Sequence, residues 1–106
     1  MEIKLSRHFM LERAGRYAYI STTVGMGEVV HTVERINDNS KELVYVSVTN
    51  TGVVLVRGVD GTIITMYLAY LEEVKKYFNN SVPFVLASII NTNMKRGYIK
   101  HQNDFD

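Results

Sequence analysis

The sequence contains no cysteine, and it has a single proline among 106 residues. Without cysteine there is no disulfide framework, no thiolate zinc site and no cysteine nucleophile. The absence of thiol pairs also favours a reducing compartment. No apolar run approaches the roughly 18 residues that cross a bilayer, and the first residues are too short and too charged to form a signal peptide. The sequence therefore predicts a cytoplasmic protein with no membrane attachment.

The motifs of several well-defined chemistries are also missing. There is no GxxxxGK[ST] phosphate loop, no GxGxxG loop, no GxSxG elbow and no HExxH pair. The three histidines and the scattered carboxylates show no metal-ligand spacing. The sequence predicts neither a metal site nor a cofactor.

The composition is that of one globular domain spanning residues 1–106. Hydrophobic residues make up 46% of the chain, which is near the globular average and sufficient for a core. The formal net charge is only +1. The cations are nevertheless uneven, and a fold that joins the chain ends would create a basic patch there, although ordinary solvated cations are the simpler interpretation. These terminal cations are Lys4, Arg7, Arg13, Arg16, Lys95, Arg96 and Lys100.

The N-terminal segment has the pattern of a short helix. Ser6 is a suitable N-cap for a helix over Arg7–Arg16, and Gly15 weakens or ends its last turn. At 100° per residue, Met10, Leu11 and Ala14 share one side. The other side carries His8, Glu12 and Arg16, with Phe9 and Arg13 beside them. Tyr17–Ser21 is then either an extended link or a short strand.

A second helix is predicted after this link. Met26, Val29, Val30, Val33 and Ile36 keep helical spacing. A strand over Val29–Ile36 is the alternative, but it would place His31 and Arg35 among valines on one face. We therefore favour the helix.

The strongest pattern in the chain is a three-stranded antiparallel meander at about residues 43–68. Its strands, Leu43–Thr49, Val53–Gly58 and Thr62–Leu68, are rich in β-branched residues. Each three-residue loop has glycine third, which suits a type I turn followed by a left-handed residue. This loop length predicts that Val48 faces Val54 and Val46 faces Val56, and that Val54 and Val56 face Met66 and Ile64.

This register predicts two different faces of the meander. One is aliphatic and must be covered by helices, and it carries Val44, Val46, Val48, Val54, Val56, Ile64, Met66 and Leu68. The other is mixed and half-exposed, and it carries Tyr45, Ser47, Thr49, Leu55, Arg57, Ile63, Thr65 and Tyr67.

Two helices are predicted after the meander. The first spans Leu71–Phe78, and the second begins at Pro83 and ends at Arg96 before Gly97. His101–Asp106 reads as a frayed tail. The predicted fold class is therefore α+β, with two N-terminal helices, the meander and two C-terminal helices.

Two sets of residues could carry chemistry. On the mixed face, hydroxyl groups surround the permanent cation of Arg57, which suits a phosphate or a carboxylate. A solvated sheet face explains the same pattern more simply. On the first helix, His8 lies beside two arginines and could act as an acid or base, although it could equally be a solvent-exposed partner of Glu12.

The order of elements, with RHFMLERAGR at Arg7–Arg16 and VSVTNTGVVLVRGVDGTIITMYLA at Val46–Ala69, resembles the small barnase/EndoU/colicin/RelE-like nuclease fold. The similarity is to its compact phage and mobile-element versions and covers roughly residues 5–70. The resemblance implies a metal-independent ribonuclease that uses the ribose 2′-hydroxyl as its nucleophile. His8 would be the acid or base, Arg13, Arg16 and Arg57 would bind phosphate, and Thr65 and Tyr67 would orient the substrate. Tyr45, opposite Arg57, completes the predicted substrate-binding set.

A non-catalytic function remains the alternative. A net charge of +1 is low for a protein that must hold RNA against salt. The seven tyrosines and the C-terminal helices would suit a protein- or nucleic-acid-binding module of phage type, or an oligomeric assembly subunit. The predicted partners are thus RNA, or a protein or second copy bound through the C-terminal helices.

Overall fold

The computed structural model describes residues 5–105 and consists of one antiparallel sheet with helices on both faces. The predicted α+β class is confirmed. Lys4 and Asp106 lie outside the described residues, as does the side chain of Glu12. The strands are β1 (Val29–Ile36), β2 (Leu43–Thr49), β3 (Val53–Arg57) and β4 (Ile63–Leu68), in the order β1-β2-β3-β4. The helices are α1 (Arg7–Thr23), α2 (Leu71–Tyr77), α3 (Phe84–Lys95) and α4 (Tyr98–His101), followed by a 3-10 segment at Gln102–Phe105.

Helix α1 begins as predicted but is longer than predicted. The Ser6 hydroxyl accepts a hydrogen bond from the Phe9 amide at 3.0 Å, which confirms the N-cap. The helix continues past Gly15 and Arg16 to Thr23, so the extended link at Tyr17–Ser21 was wrong. Its one irregularity is a kink at Arg13, where φ is −134°.

The buried side of α1 is not the side that carries Met10, Leu11 and Ala14. Phe9, Arg16 and Ile20 are buried, whereas Met10 and Leu11 are exposed. The three buried residues recur at helical spacing only when the full length of α1 is considered. The predicted helix ended at Arg16. It therefore did not include Ile20, which lies on the buried side.

The predicted second helix is in fact strand β1, which pairs antiparallel with β2. His31 and Arg35, whose positions were the reason for rejecting a strand, both contact aromatic rings. The His31 ring stacks on Phe78 with centroids 4.1 Å apart, and the Arg35 guanidinium lies 5.2 Å from the centre of the Tyr77 ring. Sheet pairing and these contacts with the end of α2 override the helical spacing of the valines.

The first hairpin of the meander has the predicted register. Val46 pairs with Val56 and Val48 with Val54. The third loop residues, Gly52 and Gly61, have φ values of 89° and 85°, as a left-handed glycine in each loop requires.

The second hairpin departs from the predicted register. Arg57 pairs with Ile63, but a bulge follows and Val56 pairs with Thr65 rather than with Ile64. One extra residue in β4 shifts every later position, so Val54 faces Tyr67 instead of Met66. Thr65 and Tyr67 therefore lie on the same face as Val54 and Val56, opposite to the predicted one.

Both faces of the sheet are covered, which corrects the half-exposed mixed face. On the face that we call the α1 face, α1 and Ile99 of α4 pack on a cluster from β3 and β4: Val53, Leu55, Ile63, Met66 and Leu68. On the α2–α3 face, Val74, Leu86 and Ile90 pack on Val46, Val48 and Val54. The bulge in β4 makes this possible, because it places Met66 and Leu68 on the same face as Ile63.

The C-terminal segment is docked rather than frayed. The Gln102 side chain bonds the backbone of Leu68, and the Arg16 guanidinium donates to the side-chain Oδ1 of Asn103 at 3.3 Å. These contacts bring α1 close to the C-terminal segment. The predicted basic patch requires this proximity between the two groups of terminal cations. None of the helices in the described chain combines the length and apolar character needed to span a bilayer.

Candidate anion-binding site

A row of polar side chains crosses three neighbouring strands on the α1 face. Arg57 Nη2 in β3 donates to Ser47 Oγ in β2 at 2.8 Å, and Ser47 Oγ lies 2.9 Å from Thr32 Oγ1 in β1. The cross-strand pairs Ser47–Thr32 and Tyr45–Arg57 bring these side chains together. Ser47 is fully buried, and Tyr45 and Arg57 are half-buried. The row therefore places one cation among hydroxyl groups at the border between core and solvent.

Arg57 is a partly buried cation whose charge and N–H donors are only partly matched by acceptors. Its only described partner is the Ser47 hydroxyl, and none of the carboxylates that the structure describes forms an ion pair with it. Its Nε is buried and has no acceptor among these residues. Buried polar groups are normally hydrogen-bonded, and buried charges are normally paired. Nε itself is closed to solvent, so an anion would contact only the accessible part of this half-buried side chain.

The other predicted site residues lie on α1 and on the opposite face of the sheet. His8 is exposed in the first turn of α1, and Arg13 is half-buried at the kink of that helix. Arg16 is buried and donates to Asn103. The sheet register pairs Tyr45 with Arg57 as predicted, but it separates this pair from Thr65 and Tyr67.

Tyr67 has a different environment on the α2–α3 face. Its hydroxyl donates to Glu73 Oε1 at 2.8 Å. Burial raises the pKa of Tyr67 strongly, and the neighbouring Glu73 carboxylate raises it further. Tyr67 is thus held as a neutral phenol that links β4 to α2.

The three histidines occupy three different surfaces. His8 is exposed, whereas His31 packs on Phe78 and its Nε2 donates to the Tyr77 carbonyl oxygen at 2.6 Å. His101 Nδ1 lies 3.1 Å from Asp104 Oδ2, in the segment that was predicted to be a frayed tail. Sequence reasoning missed His101, although the spacing of His101 and Asp104 by three residues is the usual signal for a side-chain pair on a helix.

A concavity at another place on the sheet does not suit the binding of an anion. It has a volume of about 580 Å³ and lies where the β3–β4 hairpin meets the start of β2. Its ionisable lining residues are Glu42 and Asp60, and Asp60 accepts hydrogen bonds from Thr62. Two acidic side chains without a cation among the described lining residues do not suit an anionic ligand. In the part of the chain whose side chains are described, no group of three or more histidine, aspartate or glutamate residues could hold a metal ion.

Comparison of the chain with protein-family models, with curated proteins and with solved structures gives no significant match. The resemblance to the small nuclease fold therefore stays a prediction.

Proposed function

We propose that the protein is a small metal-independent ribonuclease of phage or mobile-element type, which holds an RNA phosphate at Arg57. The observation that carries the proposal is the half-buried Arg57 guanidinium, which has no carboxylate partner among the described side chains. A guanidinium binds phosphate strongly through paired N–H donors. The Ser47 hydroxyl is bonded to it, and Tyr45 is its cross-strand neighbour on β2.

The proposed reaction uses the substrate's own nucleophile. A base removes the proton of the ribose 2′-hydroxyl, and the 2′-oxygen attacks the adjacent phosphorus. The bond to the 5′-oxygen breaks, and that oxygen takes up a proton. The products are a 2′,3′-cyclic phosphate and a free 5′-hydroxyl. Arg57 stabilises the charge that grows on the phosphoryl oxygens, and His8 is the acid or base that the resemblance implies.

The site on the α1 face is smaller than the one predicted from sequence. Arg57 and Tyr45 remain as a pair, and Arg13 of α1 is retained as a phosphate contact. Thr65 and Tyr67 take no part in it, because they lie on the α2–α3 face. Arg16 is bound to Asn103 and is assigned to packing of the C-terminal segment.

The test is incubation of purified protein with total cellular RNA in the presence of EDTA. Wild type should leave 2′,3′-cyclic phosphate ends. Arg57→Ala should abolish cleavage, and His8→Ala should slow it by about 10²–10⁴-fold, the usual contribution of an acid or base. Arg35→Ala is the matched control, because Arg35 is an arginine stacked on Tyr77. Intact RNA in every lane, with each variant folded by circular dichroism, would refute the nuclease proposal.

A non-catalytic binding module is the second candidate, and a surface on α3 favours it. Phe84 and Val85 at the start of α3 are 85% and 70% exposed. Val85 also lines a groove of about 310 Å³ with Val30, Pro83, Leu86 and Ile89, and almost all of this lining is apolar. Exposed apolar patches of this kind typically mark contacts with other proteins.

Light scattering tests this second candidate. A protein that associates through α3 should be larger than a monomer at micromolar concentration, and Phe84→Ser should return it to monomer. Leu11→Ser is the control, since Leu11 is 74% exposed on α1. A wild-type monomer that cleaves RNA would count against the binding module.

A further inference from the structure

A second concavity lies between the last turns of α1 and the C-terminal segment. It is shallow, with a volume of about 310 Å³, and it is lined by both aromatic and charged side chains. This volume is at the small end of ligand sites and suits part of a larger molecule rather than a whole one. Its lining includes Tyr19, Arg96, Tyr98, His101, Asp104 and Phe105.

One wall is a fixed aromatic platform. The rings of Tyr19 and Phe105 are stacked, with centroids 4.6 Å apart and planes 21° apart. The Tyr19 hydroxyl donates to the Tyr98 carbonyl oxygen at 2.9 Å, which holds the Tyr19 ring in place. Phe105 is 45% exposed, so part of its surface is open to a flat ligand. A nucleic-acid base stacks on such a surface regardless of its sequence.

The rest of the lining is polar and carries a cation. His101 Nδ1 lies 3.1 Å from Asp104 Oδ2, and this contact orients the imidazole. Arg96 is exposed, and no carboxylate whose side chain is described forms an ion pair with it. The exposed Lys95 and Lys100 add positive charge along the same segment. An aromatic platform beside an arginine is the combination by which proteins hold single strands.

The ring of His101 is positioned by the backbone below it. Gly97 has a φ of 78°, and a Cβ at this position would lie 3.2 Å from Cδ2 of His101. Glycine thus lets the imidazole approach the backbone closely. With Nδ1 bound to Asp104, Nε2 is the nitrogen that can contact a ligand.

We propose that this C-terminal pocket binds one nucleotide of a single-stranded nucleic acid, with the base stacked on Phe105 and a phosphate held by Arg96 and His101. This binding site is separate from Arg57 and does not depend on catalysis. Because a base must leave its duplex to stack on Phe105, the ligand is a single strand rather than a double helix.

The test uses a probe that cannot be cleaved through a 2′-hydroxyl. A single-stranded DNA octamer is titrated into labelled protein, and the imidazole resonances of the three histidines are followed by NMR. The His101 resonances should shift saturably, and those of His31, packed against Phe78, should not move. The same sequence as a duplex should bind at least about fivefold more weakly. This factor corresponds to the smallest usual contribution of one stacked base to binding affinity.

Two variants and their controls complete the experiment. Phe105→Leu and Arg96→Ala should each weaken binding of the octamer by at least about fivefold. Tyr70→Leu and Lys76→Ala, an exposed aromatic and an exposed cation at α2, should leave it unchanged. An unmoved His101, a shift confined to His8, or unchanged affinity in Phe105→Leu would each overturn the proposed pocket. None of these outcomes bears on cleavage at Arg57, which the RNA assay tests separately.

Discussion

The Gln102 side-chain amide pairs with the backbone of Leu68 in the manner of a neighbouring strand. Its Nε2 donates to the Leu68 carbonyl oxygen and its Oε1 accepts from the Leu68 amide, both at 2.8 Å. Both residues are buried. The edge of β4 is thus completed there by a side chain, and this contact attaches the C-terminal segment to the sheet.

Gln102→Ala should lower the free energy of unfolding by about 1–3 kcal/mol, because it leaves the buried Leu68 amide without a partner. Lys100→Ala, on the exposed side of the same segment, should change it by less than about 0.5 kcal/mol. Urea unfolding measures both. Equal effects of the two substitutions would show that the amide pair does not stabilise the fold.

His31 provides a second test, which separates stacking from hydrogen bonding. The residue stacks on Phe78 and donates to the Tyr77 carbonyl oxygen. His31→Phe keeps an aromatic ring and loses the bond, at a cost of about 1 kcal/mol. His31→Ala loses both, and the lost aromatic pair adds about 0.5–1.5 kcal/mol.

Thermal and urea unfolding should therefore rank wild type above His31→Phe, and His31→Phe above His31→Ala. The reverse order of the two variants would contradict the stacking. RNA cleavage, measured well below the melting temperature, should be the same in all three proteins.

The sequence predicted those parts of the fold that local chemistry decides. Glycine in third position fixed the loop of the first hairpin, and Ser6 fixed the start of α1. The sequence could not reveal the bulge in β4, because Ile63 and Ile64 are both apolar and either could face the core. The identity of β1 was also out of reach, since the aromatic partners of His31 and Arg35 come from α2, far along the chain.

The difference between local and long-range contacts also explains which residues of the candidate site could be predicted. The pairing of Tyr45 with Arg57 follows from the first hairpin and could be predicted. The predicted positions of Thr65 and Tyr67 depended on the register of β4 after the bulge. The prediction placed both residues on the wrong face of the sheet. The sequence placed Arg96 only in a general patch of terminal cations and His101 in a frayed tail, because the environment that they share exists only once the C-terminal segment docks beside Tyr19.

Tyr67 predicts a loss of stability at alkaline pH. Burial, followed by the hydrogen bond to Glu73, raises the pKa of the folded-state phenol above its ordinary value of 10.0. Above pH 10 the unfolded chain releases this proton while the folded protein retains it. Fewer protons are then bound in the unfolded state, so the free energy of unfolding falls as pH rises.

Tyr67→Phe removes this contribution, and its free energy of unfolding should fall less steeply above pH 10 than that of wild type. Near pH 7 the variant should be less stable by about 1 kcal/mol, because the bond to Glu73 is lost. Urea unfolding from pH 7 to 11 measures both effects. Tyr70→Phe is the control, since Tyr70 is exposed. Parallel curves for wild type and Tyr67→Phe would refute the assignment.

The two hairpin glycines form a matched pair that separates backbone strain from crowding. Gly52 and Gly61 both have positive φ, so alanine at either position is strained by about 1–2 kcal/mol. Around Gly61 the space is open, whereas a Cβ at Gly52 would lie 2.9 Å from the Asn93 amide nitrogen and 3.3 Å from Ile90. That Asn93 nitrogen donates to the Thr51 carbonyl oxygen at 3.0 Å and joins α3 to the β2–β3 loop.

Gly52→Ala should therefore destabilise the protein more than Gly61→Ala, by about 1 kcal/mol or more, because it also displaces the Asn93 hydrogen bond. The double variant Gly52→Ala/Asn93→Ala checks the cause, since the crowded amide is then absent. Its two substitutions should cost less together than the sum of their separate costs, because they act on the same contact. Additive costs would show that Asn93 is not what Gly52 accommodates, and equal costs at the two glycines would show that backbone strain alone requires them.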